Sequence, residues 1–304
     1  MNSISILMAT YNGARFLEEQ LLSIEKQTYP HWHLYVLDDG SKDDTWAILD
    51  AFQQRVGTNK ITLRQGHHQG CVKTFLSLVC DKTITSDFYA YADQDDVWDS
   101  DKLERAVKVL KNHIAVPFLY CSSSRLIDEN GKIMGRTSAY TRPPSFKNAL
   151  VQNIAAGHTM VFNKQARNLL KNMGVVGVFI HDWWTYIVVT ACGGGVYFDA
   201  QPSVSYRQHS ANLIGINSAF KSFHNALKRV WKGEFKGWTE SHLFFLSHMK
   251  DPITGDAKKT IDCLACSRQK SLFMRVIFFI KSGVFHQTIL GNLKLLCASL
   301  VNKI

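Results

Sequence analysis

Long apolar runs are missing from this 304-residue chain. The longest near the C-terminus is Val276 to Ile280, between Arg275 and Lys281. A spanning helix needs about 20 mostly apolar residues, so none is expected. Met1-Asn2-Ser3-Ile4-Ser5 has no basic region ahead of an apolar stretch, which argues against a secretory signal. Paired cysteines are also missing. Seven Cys are scattered from Cys71 to Cys297, unlike the framework of a small disulfide-bonded domain. Cys263 and Cys266 form one C-x-x-C with no second pair and no His pair, which argues against zinc. The expectation is a chain that stays in a reducing cytoplasm. No G-x-x-x-x-G-K-S/T is present, and Gly193-Gly194-Gly195 lacks G-x-G-x-x-G spacing. No G-x-S-x-G elbow exists either. A P-loop, a dinucleotide fingerprint and an acyl-hydrolase nucleophile are thereby excluded. Internal repeats and low-complexity segments are absent as well.

What is present is an ordinary globular composition, 46% hydrophobic and 20% charged, with a net charge of +10. The charge is uneven. Residues 1–216 hold 21 Lys+Arg against 20 Asp+Glu, a net of +1, and residues 217–304 hold 14 against 5, a net of +9. The break suggests a near-neutral body and a basic C-terminal region. Ile4–Met8, His33–Leu37, Ile61–Leu63 and Phe88–Ala92 read as strands. Phe16, Leu17, Leu21 and Ile24 form a helical stripe after the first. Ser41-Lys42-Asp43-Asp44 reads as a helix start ahead of Ile48, Leu49 and Phe52, and Cys71–Val79 as a third helix. Alternation of strand and helix predicts an α/β fold with a mostly parallel sheet flanked by helices. Ligands bind beyond the carboxyl ends of such strands. Thr10-Tyr11-Asn12, Asp38-Asp39 and Asp93-Gln94-Asp95-Asp96 all stand at those ends.

Three carboxylates in four residues repel one another, so a cation belongs beside them. Hard oxygen ligands suit Mg²⁺ or Mn²⁺ bridging a diphosphate. The alternative is that Asp95, Asp96, Asp99 and Asp101 cap the helix carrying Leu103, Val107 and Leu110.

Five ordered segments resemble the signature of glycosyltransferase family 2 over roughly residues 3–215: Ser5–Gly13, Val36–Ser41, Ala92–Trp98, His181-Asp182-Trp183-Trp184 and Tyr206-Arg207-Gln208-His209-Ser210-Ala211-Asn212. Within the family, D-Q-D-D-x-W with H-D-W-W and Y-R-Q-H-x-x-N is similar to bacterial rhamnosyltransferases of surface polysaccharide (O-antigen or capsule) synthesis. The resemblance implies a GT-A-type nucleotide-diphospho-sugar transferase fold, a nucleotide-sugar donor, a divalent metal and inversion at the anomeric carbon. Residues 1–100 would bind donor, 101–216 would bind acceptor, and 217–304 would form a helical extension.

The site residues follow from the same resemblance. Tyr11 and Asp39 match positions that contact the pyrimidine base, with Thr10 and Asn12 shaping their loop and Asp38 either joining them or buttressing the turn. Asp93 matches the position near ribose and metal, and Asp95 the metal ligand. Asp182 matches the catalytic base, and desolvation beside His181 and two tryptophans would raise its basicity. His209 matches a position reaching the metal or the diphosphate, and Arg207 is a candidate phosphate partner. His158 lies where the family builds its acceptor side. Trp98, Trp183 and Trp184 are candidates for stacking on sugar, with core packing as the alternative. One departure from the family pattern is His68-Gln69-Gly70 with Thr74 following, where the family often shows N-x-G and a later Asn. Donor identity is therefore not carried over from this loop.

The favoured donor is dTDP-β-L-rhamnose, and the favoured acceptor a lipid-linked saccharide. UDP-N-acetylhexosamine, UDP-hexose or UDP-galactofuranose is the alternative donor, and a non-catalytic sugar-nucleotide binder the alternative class. In the basic region Phe220, Phe223, Leu227, Trp231, Phe235 and Trp238 interleave with Lys228, Arg229, Lys232 and Lys236. That pattern fits a peripheral seat on the inner leaflet of the membrane. Packing on the body or on a second subunit, as in a homodimer, is the alternative. Nucleic acid is not an expected partner, because no binding module is visible.

Overall fold

The computed structural model describes residues 2–138, 140–209 and 234–303. Ser210, Ala211, Asn212, Phe220, Phe223, Leu227, Lys228, Arg229, Trp231 and Lys232 lie outside the described residues. The chain opens with β1 (Ile4–Thr10), α1 (Ala14–Glu25), β2 (Trp32–Asp38), α2 (Thr45–Val56), β3 (Ile61–Gln65), α3 (Cys71–Cys80) and β4 (Phe88–Ala92). These seven elements follow the predicted alternation. β1 and β4 are apolar at nearly every position because each has a strand on both sides and helices on both faces. The short β5 (Val97–Trp98) and α4 (Lys102–Leu110) come next, followed by β6 (Phe118–Ser122), β7 (Arg125–Ile127) and β8 (Ile133–Arg136). After α5 (Phe146–Ala149), a 3-10 turn at Gly157–Thr159 leads into β9 (Val161–Asn163). The chain continues through α6 (Lys164–Met173), α7 (His181–Ala191), β10 (Gly195–Asp199) and β11 (Val204–Arg207). The C-terminal helices are α8 (Glu234–Ser247), α9 (Gly255–Arg268), α10 (Leu272–Ser282) and α11 (Ile289–Leu300).

Seven strands form the main sheet in the order β10-β6-β9-β4-β1-β2-β3. β4, β1, β2 and β3 run parallel, as do β10 and β6. Only β9 runs against its neighbours. The carboxyl ends of β1, β2 and β4 therefore open on one edge. β5, β11, β7 and β8 make a second, smaller sheet, in which β11 pairs with both β5 and β7. This pairing brings the segment after residue 203 back to the acidic loop after β4.

Local signals were used differently from the reading of Ser41–Asp44 as a capping box. Ser41 Oγ donates to Asp38 Oδ1, at 2.5 Å, and accepts from Asn12 N–H at 2.9 Å. Asp43 accepts from Thr45 and from Ala14 N–H. The motif ties the loops after β1 and β2 together. Asp101 precedes α4 without a side-chain capping bond, and Asp99 pairs with Arg125. The acidic string is thus not explained by capping.

The apolar core does not stop where the charge changes. Leu246, Ala257, Leu264, Phe279, Leu295 and Ala298 from α8–α11 share one buried cluster with Trp183, Trp184 and Ile187 of α7. Every residue of α7 is buried, because the sheet side and the C-terminal helices enclose it from opposite directions.

Candidate active site

Each site segment is held by a neighbour distant in sequence. At the end of β1, Thr10 Oγ1 donates to Asp38 Oδ1 at 2.8 Å. Tyr11 is clamped through its backbone by the Gln94 amide, which accepts from Tyr11 N–H at 2.9 Å and donates to Tyr11 O at 3.1 Å. Its ring is exposed and sits 4.7 Å from the His68 ring. Asn12 adopts a left-handed backbone with φ of 46°, and its Oδ1 accepts from Lys42 N–H at 2.8 Å. At the end of β2, Asp38 Oδ2 accepts from Ser41 N–H at 2.9 Å. Asp38 and Asn12 shape this loop from behind and do not line the cavity. Asp39 does line it, and its two oxygens accept from Gln69 N–H at 2.9 Å and Gly70 N–H at 2.7 Å. Gly70 has φ of 89°, a region that favours glycine, and so turns its N–H towards Asp39.

The acidic loop after β4 is enclosed by cations. Arg207 N–H donates to Asp96 Oδ1 at 3.1 Å, and Arg207 Nε donates to Asp95 O at 3.0 Å. The guanidinium also pairs with Glu19. Arg207 is therefore a buried brace behind the acidic loop, absent from the cavity lining, and the expectation that it contacts donor phosphate is corrected. Lys102 is wholly buried. Its Nζ donates to His158 O at 2.6 Å and lies 3.2 Å from the Trp98 ring centre. Desolvation and the charges of Asp95 and Asp93 push the Asp96 carboxyl well above the usual range, and desolvation likewise raises Asp93, with Asp95 and Asp182 adding to it. Lys102 opposes both rises.

A cavity of about 580 Å³ joins these segments. Thr10, Tyr11, Asp39, Asp93, Asp95, His158, His181 and Asp182 all line it. Asp182 stands in the first turn of α7. Its Oδ2 accepts from Gly157 N–H at 2.7 Å, and its Oδ1 from Trp183 N–H at 2.5 Å. Burial raises its pKa to about 6 against the opposing effect of these N–H groups. Among the described residues it makes no ion pair, so its charge faces the cavity. A carboxylate with that basicity can accept a proton from a hydroxyl as the hydroxyl becomes a nucleophile.

Two donor sets suit a hard divalent cation. Asp95 Oδ2 and His209 Nε2 lie 2.8 Å apart, which joins the two residues named from the sequence, although His209 stands behind Asp95 and not in the cavity lining. Asp93, Asp96 and His158 form a second group, with one ligand atom from each all within 4.8 Å of one another. Asp96 Oδ2 is buried without a partner. Carboxylate oxygens with one imidazole, mutually repelling and partly unpaired, fit Mg²⁺ or Mn²⁺. His158, expected on the acceptor side, lines the cavity and stands beside Asp93 and Asp96. Its Nε2 pairs with Ser124 Oγ at 2.7 Å, and its ring stacks on Tyr206 at 4.4 Å.

The three tryptophans need correction. None lines the cavity. Trp98 is 3% exposed and covered by Lys102. Trp183 donates from Nε1 to Ala149 O at 2.6 Å and packs near Phe235, Trp238 and His242. Trp184 is fully buried beside His242 and Phe245. Trp183 and Trp184 go into the core because the sheet side and the C-terminal helices close over their part of α7. Conversely, Lys102, Gly157 and His181 escaped assignment. The one signal for Lys102 was a lysine soon after an acidic string, and the one for His181 was its place beside Asp182.

The family model for glycosyl transferase family 2 matches residues 5–168. The dTDP-rhamnosyl transferase RfbG of Shigella flexneri is 29% identical over 235 residues, 73% of this chain and 78% of that protein. The UDP-Glc:alpha-D-GlcNAc-diphosphoundecaprenol beta-1,3-glucosyltransferase WfgD of Escherichia coli is 30% identical over 190 residues, 61% of this chain and 69% of that protein. Among solved structures, TarS 1–349 of S. aureus in complex with UDP-GlcNAc aligns over 99% of this chain and 79% of its own, with a TM-score of 0.60 at 14% identity. That likeness shows a GT-A-type fold. The mannosyltransferase PcManGT of Pyrobaculum calidifontis, in complex with GDP-Man and Mn²⁺, aligns with a TM-score of 0.51 at 18% identity. The matched stretch holds Tyr11, Asp39, Asp93 and Asp95, the fold brings Asp182 to the same cavity, and the chain is thereby a hexosyltransferase belonging to glycosyl transferase family 2.

Proposed function

We propose that the protein is an inverting, metal-dependent transferase that moves L-rhamnose from dTDP-β-L-rhamnose to a lipid-linked saccharide in bacterial surface polysaccharide synthesis. The observation that carries this reading is one cavity lined by Asp39, Asp93 and Asp95 and by Asp182, which makes no ion pair among the described residues. Tyr11 and Asp39 hold the base, and residues 1–100 form the donor half. Residues 101–216 form the acceptor half and supply Asp182. Asp95 and His209, with Asp93, would hold the divalent metal, which would supply positive charge to a departing diphosphate. The acceptor hydroxyl oxygen bonds to the anomeric carbon as the carbon–oxygen bond to the diphosphate breaks. Asp182 takes the hydroxyl proton, the nucleoside diphosphate leaves with the electron pair, and the β-linked donor gives an α-linked product. Rhamnose is favoured by the similarity to RfbG over 73% of this chain. A UDP-hexose donor is the second reading, favoured by the similarity to WfgD.

The test is a thermal-shift panel of dTDP-rhamnose, UDP-glucose, UDP-N-acetylglucosamine and UDP-galactofuranose with Mn²⁺ or Mg²⁺. A ligand stabilises the state that binds it, so the donor gives the largest rise in Tm. The same panel with chelator loses most of that rise. A UDP-sugar in first place overturns rhamnose and leaves the mechanism standing.

A seat on the cytoplasmic face of the membrane is part of the proposal. Nine large apolar residues from Leu272 to Val301 are exposed, among them Phe273, Ile280 and Ile289. No Asp or Glu follows Asp262, whereas Arg268, Lys270, Arg275, Lys281, Lys294 and Lys303 do. Among the described residues no helix is long and apolar enough to cross a membrane. Apolar side chains ringed by cations complement anionic lipid, and two copies of this face would set cation against cation. Phe273→Glu with Ile289→Glu should abolish retention on low-salt vesicles containing phosphatidylglycerol. Equal retention of variant and wild type refutes this seat.

A further inference from the structure

We propose that His181 is a specificity-determining residue that grips a hydroxyl of the sugar lodged against Asp182. The inference rests on the transferase reading of the cleft and adds a residue to it.

His181 begins α7 and lines the cavity beside Asp182. It is 4% exposed, and among the described residues neither ring nitrogen has a hydrogen-bond partner. Its ring is fixed by apolar contact alone, stacked on Phe75 at 4.0 Å and 17° and edge-on to Tyr91 at 4.7 Å and 87°. Burial lowers its pKa to about 3, so the imidazole is neutral, with one nitrogen donating and the other accepting. A phenylalanine would keep the stack on Phe75 without leaving two polar atoms unpaired. Buried polar atoms without partners are rare and costly, and one in a binding cleft points to a partner that arrives with the ligand.

Unpaired nitrogens alone do not make this case. His242 has two as well, but it packs among Trp183 and Trp184 and lines neither this cavity nor the smaller one beside it. Gly157 supplies the distinguishing geometry. A Cβ at Gly157 would lie 3.2 Å from His181 Nε2 and 3.3 Å from Asp182 Oδ2. The imidazole and the carboxylate therefore share one small region of wall, which any side chain at residue 157 would crowd. A sugar that presents one hydroxyl to Asp182 carries further hydroxyls close by. Donor and acceptor sugars both offer that chemistry.

The experiment compares wild type, His181→Phe and His181→Gln, using the panel member that gives the wild type its largest thermal shift. The first readout is the affinity gained by the nucleotide sugar over its nucleoside diphosphate. The second is transfer to GlcNAc-diphosphoundecaprenol at saturating donor. His181→Phe should keep a Tm at or above that of the wild type. If the donor sugar is held, the sugar's share of the affinity falls roughly 5- to 150-fold, the equivalent of one buried hydrogen bond left unmade. If the acceptor sugar is held, donor affinity is unchanged and the acceptor KM rises by a similar factor. In either case His181→Gln, which can still donate and accept, recovers part of the loss. His181→Phe with unchanged donor affinity and transfer overturns the role of His181 alone. A wild type that binds and turns over no panel member overturns the transferase cleft, and this inference with it.

Discussion

Replacing Asp182 by Asn separates the chemistry of this carboxylate from its burial. Its pKa in the folded protein, raised from 3.8 to about 6, corresponds to a penalty of ~3 kcal/mol on the charged form. The folded pKa lies above the unfolded one. The neutral acid therefore lends its full stability below about pH 4, loses it as the pH rises towards 6, and has lost it entirely above. Asn carries no charge and feels no such penalty. It does bring an amide N–H₂ towards one of two N–H donors, Gly157 or Trp183, a mismatch of ~1–3 kcal/mol. It also gives up a favourable charge at the start of α7, of ~0.3–1 kcal/mol. Near pH 7.5 these effects roughly cancel. At pH 4 the wild type is the more stable protein. Between the two pH values the stability of Asp182→Asn relative to the wild type should improve by ~2.4 kcal/mol, measured by denaturant melts of both proteins. Groups shared by both proteins, such as Asp96, drop out of that difference. Transfer should fall by ~10²–10⁴-fold with the donor thermal shift retained, and the wild-type rate should decline about tenfold per unit below pH 6. Transfer by Asp182→Asn at the native rate refutes the assignment of the base. A relative stability that does not change with pH refutes the desolvation argument.

Three further outcomes are expected. Asp95→Asn should remove the metal-dependent part of the nucleotide-sugar thermal shift while leaving the metal-free Tm nearly unchanged, because His209 Nε2 can still pair with the amide oxygen at this position. Lys102→Met should destabilise the fold by ~1–3 kcal/mol, since it leaves the buried His158 carbonyl without its Nζ donor and removes the group that opposes the raised pKa of Asp93 and Asp96, and adding Asp96→Asn should restore part of the loss in thermal melts. Gly157→Ala should lower kcat severalfold at near-native Tm, because the new methyl group lies 3.1–3.3 Å from His181 and Asp182, and steady-state kinetics at saturating donor would read it.

Composition and order along the chain were enough for the sheet, the carboxyl-end loops and the motif residues. β1 and β4 are apolar runs ended by polar turns, and such runs are legible without neighbours because burial on both faces demands them. The resemblance of their motifs to glycosyltransferase family 2 named Asp39, Asp93, Asp95 and Asp182, and the fold sets all four around one cavity. The packing direction of large rings was not legible. Trp98, Trp183 and Trp184 read equally well as sugar platforms or as core, and the choice was made by Lys102 above one ring and by α8 over the other two. Nor did the charge break at residue 216 mark a break in the core, because charge is carried on solvent faces while the inner faces of α8–α11 close over α7. The neighbours of Arg207 and His158 were not legible for a related reason. Pairing of β11 with β5 and β7 carries the Arg207 guanidinium behind the acidic loop, and the turn ahead of β9 carries His158 to Asp93 and Asp96. Which atoms of a motif meet solvent, ligand or one another depends on contacts between separate segments, from Gly157 and Asp182 at 25 residues apart to Asp95 and Arg207 at 112, and those exist only once the chain is folded.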